Sequence, residues 1–197
     1  MVKLLPQITR LQRKPGIKLL NILSKILSPC GGIFCLLSLI LIPLKEQLIE
    51  TWRINQRMNQ LVFNNTTDEG FNKTPGNRGS RTIFQQWVHI HNVRIQWLEI
   101  CAKDIAADHS VLNKDMPFDT LLLYTEMEKS AGGISKLISR GWDNSGRISG
   151  FKKGVIPFVG YLISHESHHR GNMILTLKLA GEKIPDAVKW GLWEWGK

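Results

Sequence analysis

The sequence predicts an all-α protein: a four-helix bundle preceded by an N-terminal hydrophobic leader. Three observations predict it. After residue 44, four long stretches carry apolar residues at helical spacing, and none shows the sustained period-two alternation of a half-buried strand. The breaks between them are rich in Gly, Pro, Asn and Asp, the residues that end helices and shape turns. With 197 residues, 43% of them hydrophobic, the chain can build one cored domain and an appendage.

The appendage is residues 1–44. Ile26 to Leu44, "ILSPCGGIFCLLSLILIPL", has no charged residue across 19 positions, which just reaches the length needed to span a bilayer. Basic residues precede it, as they precede a signal peptide or an anchor. No small-residue cleavage pattern follows, so an uncleaved anchor fits better than a secreted precursor. The Pro29-Cys30-Gly31-Gly32 group shortens the continuous apolar part to Ile33–Leu44. The competing reading is an extension upstream of the true start. No Met lies between Met1 and Met58, so such a start would use a non-AUG codon, near Leu44. A genuine anchor would attach the protein to a membrane and place the body outside, because a basic flank stays cytoplasmic. Without the anchor, the bundle is expected in the cytoplasm.

The body, residues 45–197, reads as the bundle. Lys45–Asn64 places Leu48, Trp52, Leu61 and Val62 near helical spacing, without Pro or Gly. Residues 65–81 are a loop by composition. Thr82–Ala107 is the second helix, Ser110–Pro117 a connection, and Phe118–Arg140 the third helix, with Gly132–Gly133 a weak spot near its middle. Gly141–Gly154 is a turn-rich link with room for a short hairpin. Ile156–Ala180 is the fourth helix. Pro157 sits in its first turn, where it is tolerated, and Gly181 closes it. The tail "IPDAVKWGLWEWGK" holds three of the seven tryptophans and is expected to pack a short helix over the bundle; an aromatic pocket wall is the alternative.

Composition excludes some functions. The formal charge is +10, but residues 1–45 carry seven Lys or Arg and no acid, so the remaining 152 residues carry only +3. No basic stripe interleaved with aromatics is present, so nucleic acid is not an expected partner. Cys30, Cys35 and Cys101 form no C-x-x-C, which gives neither a zinc ribbon nor a disulfide framework.

The chemistry concentrates in histidines. "GYLISHESHHRGNMILTL", Gly160 to Leu177, holds three of the six. His165 and His169 stand at i and i+4, on one face and one turn apart, so both can reach one metal ion. His168 lies beside that face. Phe158, Leu162, His165, His169 and Leu175–Thr176 fall along one stripe, flanked by Ile163 and Ile174, so His169 is expected to look inward. A third ligand should come from a facing helix. The second helix offers "WVHIHNVRIQW", with His89 and His91 on nearly opposite sides, and apolar periodicity alone does not choose between them. Glu166, Arg170 and Asn92 flank these positions. Solvent-facing placement is the expected reading for them, with a substrate or ligand-positioning role as the alternative.

These blocks, together with "IPDAVKWGLWEWGK" downstream, resemble the DinB/YfiT-like family over about Lys45 to Lys197. The resemblance implies a four-helix bundle, often dimeric, that binds one divalent metal, zinc or nickel. The ligands would be one histidine on the second helix and an H-x-x-x-H pair on the last long helix. On this chain these become His89, His165 and His169, with His91 as the fallback for His89. Characterised relatives include transferases and isomerases that use low-molecular-weight thiols. A metal-dependent transferase or hydrolase acting on a small molecule, with a thiol as co-substrate, is therefore the expected function, and a homodimer is compatible with it.

Two alternatives stand beside it. His165-Glu166-Ser167-His168-His169 also spells H-E-x-x-H, the zinc-protease signature, in which Glu166 would be the base and Glu182 or Glu194 the third ligand. A membrane-anchored protease would use the leader, although no strand is expected to hold an extended peptide. The third class is a bundle that binds metal or a partner without catalysis.

Overall fold

The computed structural model describes residues 32–195 apart from 77 and 78, with side chains from Leu44 onward. The chain divides into two compact units, Met1–Leu44 and Lys45–Lys197, and the packing described below is that of the second.

The fold is all-α. Among the described residues the helices are α1 (Gly32–Asn64), α2 (Asp68–Phe71), α3 (Ile83–Cys101), α4 (Lys103–Ala106), α5 (Thr120–Asp143), α6 (Val155–Leu179) and α7 (Asp186–Gly191). The first helix reaches back beyond the expected start at Lys45, through Pro43. The anchor expected over Ile26–Leu44 begins outside the described residues. Within them, no helix is long and apolar enough to cross a membrane.

Local chemistry sets most of the boundaries. Thr82 opens α3 with a full capping box: its hydroxyl accepts from Gln85 N, and Gln85 Oε1 accepts from Thr82 N, both at 3.1 Å. Asp119 caps α5 by accepting from Leu122 N at 2.9 Å. α6 ends in a Schellman arrangement. Gly181, at φ +80°, lets its own N–H reach Lys178 O and the Glu182 N–H reach Leu177 O. The link before α6 holds a single antiparallel bridge, Ile148 to Phe151, rather than a hairpin of true strands.

The second helix departs from expectation. It breaks at Ala102, whose φ −159° and ψ 72° are not helical, and resumes as the short α4. The break falls where the 148–151 turn packs against α3: a Cβ on Gly150 would stand 2.6 Å from Ile100 Cγ2 and 3.2 Å from Ile100 O. The third helix departs in the other direction. It runs unbroken through Gly132–Gly133, because Gly133 is a site of close approach rather than a breaker. A Cβ there would lie 2.7 Å from His109 Nε2 and 2.8 Å from Leu98 Cδ1.

The tail helix α7 does pack on the bundle, but through Ile184 and Val188 rather than its tryptophans. Trp190, Trp193 and Trp195 are 67%, 79% and 49% exposed. A one-and-a-half-turn helix has a single buried face, and Val188 occupies it. Nor do these tryptophans wall the histidine site. Trp195 borders a separate groove with Ile54, Met58 and Leu61.

The core is split. One apolar cluster gathers Trp52, Leu98, Ile134, Leu137, Phe158 and Leu162. The other gathers Phe63, Phe71, Trp87, Ile90, Leu123 and Met173. Each fully buried side chain of this size contributes about 1.5–3 kcal/mol by leaving water. Between the clusters, at the level of residues 55–59, 94, 130 and 166–170, lies a layer of buried polar side chains. That layer fixes the rotation of α6, and with it the histidines.

Candidate metal centre

α3 and α6 present His89, His165 and His169 to one point. One ring nitrogen from each lies within 4.8 Å of the other two. The Nε2 atoms of His89 and His165 are 3.3 Å apart, and the ring centroids of the three pairs are 4.8–5.2 Å apart. A tetrahedral ion with metal–nitrogen bonds near 2.0–2.1 Å has nitrogen–nitrogen edges of about 3.3 Å. The first edge already has that length, and the others are no longer than 4.8 Å.

The rings are held in the form that ligates. Burial pushes the His89 imidazole down to about 4, helped by the charges of Arg81 and His165. His169 falls to about 4 by the same cause, reinforced by His165, His89, His168 and Arg81. His165 is lowered too, mainly by burial, with the Glu166 charge opposing. All three are therefore neutral at pH 7, each with a lone pair. His169 Nδ1 lies 3.3 Å from Gln86 Oε1, an acceptor, a contact that favours the tautomer protonated on Nδ1 with the Nε2 lone pair free. A ligand histidine donating its other ring nitrogen to an oxygen is the usual arrangement at metal sites. The donor set fits a divalent ion of the zinc or nickel kind: three neutral nitrogens, no thiolate, and positions left open.

His91 is not part of this constellation. It is fully buried, with Nδ1 3.2 Å from Ser130 Oγ and Nε2 2.9 Å from the Ser110 carbonyl. Both ring nitrogens are thus occupied in joining α3 to α5 and to the loop before it. Asn92, expected to face solvent or substrate, clamps the same loop. Its amide donates to Leu112 O at 2.8 Å, and its oxygen accepts from Leu112 N at 2.9 Å.

The other correction concerns Glu166 and Arg170. Both were expected at the surface, yet they are 1% and 5% exposed. Glu166 accepts from Arg94 Nε at 2.7 Å and Nη2 at 3.0 Å, from Asn55 at 2.6 Å and from Asn59 at 2.7 Å. Burial alone would raise its pKa. The Arg94 charge and the hydrogen bonds from Arg94, Asn59 and Asn55 outweigh that and hold it below the usual carboxylate range. Arg170 donates to Asn55 and Asn59 oxygens at 2.7 and 2.6 Å and to Ser167 Oγ at 2.8 Å. Burial lowers it to about 10, with Glu166 opposing the fall, so it stays charged at pH 7. Arg94 Nη2 also reaches Gln56 Oε1 at 2.8 Å, and its guanidinium lies 5.1 Å from the Trp52 ring centre. Charge-assisted bonds of this kind are the strong class. Both Glu166 oxygens are engaged by buried donors, Oε1 by Arg94 and Oε2 by Arg94, Asn55 and Asn59, which argues against a role as base to a reacting water. The third nitrogen beside His165 and His169 comes from His89, not from a downstream carboxylate.

This polar layer escaped the sequence reading. Its signal was present: Asn55 and Asn59 stand at i, i+4 on α1, one turn apart on one face, and Glu166 and Arg170 repeat that spacing on α6.

A cleft of about 650 Å³ opens beside His169, rimmed by Arg81, Lys114, His168 and Asn172. On the other side of the centre, Tyr161 stacks on His165 at 6.4 Å and 16°, and continues into Trp97 and Phe151.

The sequence model of the DinB family matches residues 147–193, which include α6 with His165 and His169 but not His89, and supports a DinB-like assignment. No curated protein and no solved structure gives a significant match.

Proposed function

We propose that this chain is a metal-dependent enzyme, a transferase or hydrolase of a small molecule, in which His89, His165 and His169 hold one divalent ion, zinc or nickel. The observation that carries the reading is the convergence of three neutral imidazoles from two helices beside an open cleft. Three protein ligands with a free position are the mark of a catalytic rather than a structural site. When bound, such an ion acts as a Lewis acid that brings a water or thiol held on it to a pKa near 7. The chain's own part is to keep the imidazoles unprotonated by burial, to fix the His169 tautomer through Gln86, and to admit a substrate past His168. The cleft volume suits a small molecule. A low-molecular-weight thiol is the co-substrate favoured by the DinB resemblance.

The test is metal content by mass spectrometry on the purified full-length protein beside His89→Ala, His91→Ala and His169→Ala. The expected result is near-stoichiometric metal that is lost with His89→Ala and His169→Ala and kept with His91→Ala. Metal unaffected by His89→Ala would sink the assignment. A loaded protein that neither joins a thiol to an electrophile nor hydrolyses small-molecule esters and amides would leave a metal-binding bundle and refute the enzyme.

A further inference from the structure

The cleft beside His169 has a chemical character that the triad alone does not require. Its polar rim carries Arg81, Lys114 and His168, with Ser80, Gln85 and Asn172 between them, and among the described residues no Asp or Glu lines it. Balanced surfaces pair their cations, as Arg140 does with Asp104 and Lys45 with Asp143 on this chain. Arg81 forms no ion pair among the described residues. The neighbour of Lys114 is Asp115, at 3.8 Å between side chains 80% and 64% exposed, a contact of negligible strength. The charge of Arg81 nevertheless reaches all three imidazoles of the triad. A cation left unneutralised at the mouth of a concave polar site repels cationic ligands and attracts anionic ones, and a guanidinium presents a planar fork that matches an oxyanion. Among the described residues, the lining contains no aromatic ring other than the imidazoles of His168 and His169 and no large aliphatic side chain, which disfavours a lipophilic group on this side of the centre.

We infer that the substrate bound in this cleft carries an oxyanion, a carboxylate or phosphate group, seated between Arg81 and Lys114, with the remainder of the molecule extending past His168 to His169. This deepens the proposed function and rests on its reading of the cleft as the mouth of the triad. Gln85 is held by its capping box and so offers a fixed polar wall. Asn172 stands three residues after His169 on α6, the same helix that positions the triad.

The experiment titrates full-length protein, metal-loaded and metal-stripped, with methylphosphonate, succinate and neutral acetamide at fixed ionic strength, following amide and guanidinium NMR shifts. The two anions distinguish phosphate from carboxylate sources. The expected result is saturable binding of at least one anion but not of acetamide, in both metal states. Affinity should fall about tenfold or more in Arg81→Gln, the loss of one charge-assisted contact, and also in Lys114→Gln. Equal affinity in wild type and Arg81→Gln overturns the inference, as does an absence of saturable anion binding. Both side chains are at the surface, so unchanged spectra away from the cleft confirm that the variants fold. Metal content is measured on the same samples. Loss of anion binding with metal retained separates failure of the oxyanion seat from failure of the metal reading, and Arg81-dependent anion binding without any metal does the reverse.

Discussion

Glu166→Gln separates the two meanings of His-Glu-x-x-His on this chain. Among the described residues, the carboxylate is the single buried anion, and it faces two buried guanidinium groups, Arg94 and Arg170. It accepts four hydrogen bonds, two from Arg94 and one each from Asn55 and Asn59. Glutamine keeps the shape but removes the charge and turns one acceptor into a donor. Every orientation of the new amide then points N–H at N–H. If its nitrogen takes the Oε1 position it meets Arg94 Nε. If it takes the Oε2 position it meets Arg94 Nη2 and both asparagine amides. Breaking a buried pair by removing one partner costs about 3–5 kcal/mol, against a total stability of about 5–15 kcal/mol for a domain. The expected result is a drop of that size in urea unfolding followed by circular dichroism, with the protein still taking up one ion at saturating metal below the transition. A double-mutant cycle with Arg94→Met should return a coupling of about 2–3 kcal/mol. Destabilisation below about 1 kcal/mol would refute the reasoning. Stability kept while all activity disappeared would restore Glu166 as a catalytic base.

Four further outcomes are expected. His91→Ala should retain metal yet lose roughly 2 kcal/mol of stability, because Ser130 and the Ser110 carbonyl lose a buried partner; metal loss in that variant would contradict the assignment of His89. Gln86→Leu should fold normally and bind metal about 10- to 100-fold more weakly, measured by competition with a chelator, since it frees the His169 tautomer. Gly133→Ala should cost about 1–3 kcal/mol in thermal or urea unfolding through its clash with His109 and Leu98. The stability of metal-free protein should be pH-dependent in a stated direction. His89 and His169 have folded pKa values near 4, below the unfolded value of about 6.5, so the unfolded chain binds more protons between the two. Their contribution is complete above pH 6.5 and is lost as pH falls toward 4; a flat urea midpoint over that interval would contradict the burial of the triad.

The long elements were legible because their signals are local. Apolar periodicity, the Thr82 capping box and Gly181 each act within one or two turns, and α3, α5 and α6 open within three residues of the expected positions. The i, i+4 spacing of His165 and His169 is local as well. What the sequence could not decide depended on the partner across the core. His89 and His91 both have apolar neighbours at helical spacing, and only the packing of α5 reveals that Ser130 and Ser110 take His91. Glu166 and Arg170 looked like surface charges because isolated charged residues are rarely buried. They are buried here because α1 and α3 bring Asn55, Asn59 and Arg94 to meet them. The break at Ala102 is likewise set from outside, where the 148–151 turn packs against Ile100.

The polar layer and the histidine centre are two faces of one helix, and this makes the site more than a chance meeting of rings. On α6, His165 and His169 alternate with Glu166 and Arg170 over a single turn. The apolar clusters on either side of that turn tolerate small rotations, since hydrophobic contact is non-directional. An ion pair with four directed hydrogen bonds, tied to α1 and α3 together, does not. A helix rotation of one residue step, about 100°, would take Glu166 out of its cage and the two histidines away from His89 at once. The buried charges are therefore the element that sets the register of α6 against α3, and the geometry of the centre depends on them although none of them lines the cleft. It follows that variants of the layer which still fold should widen the His89–His165 separation before they unfold the bundle. That would be read as weaker metal affinity at denaturant concentrations below the transition.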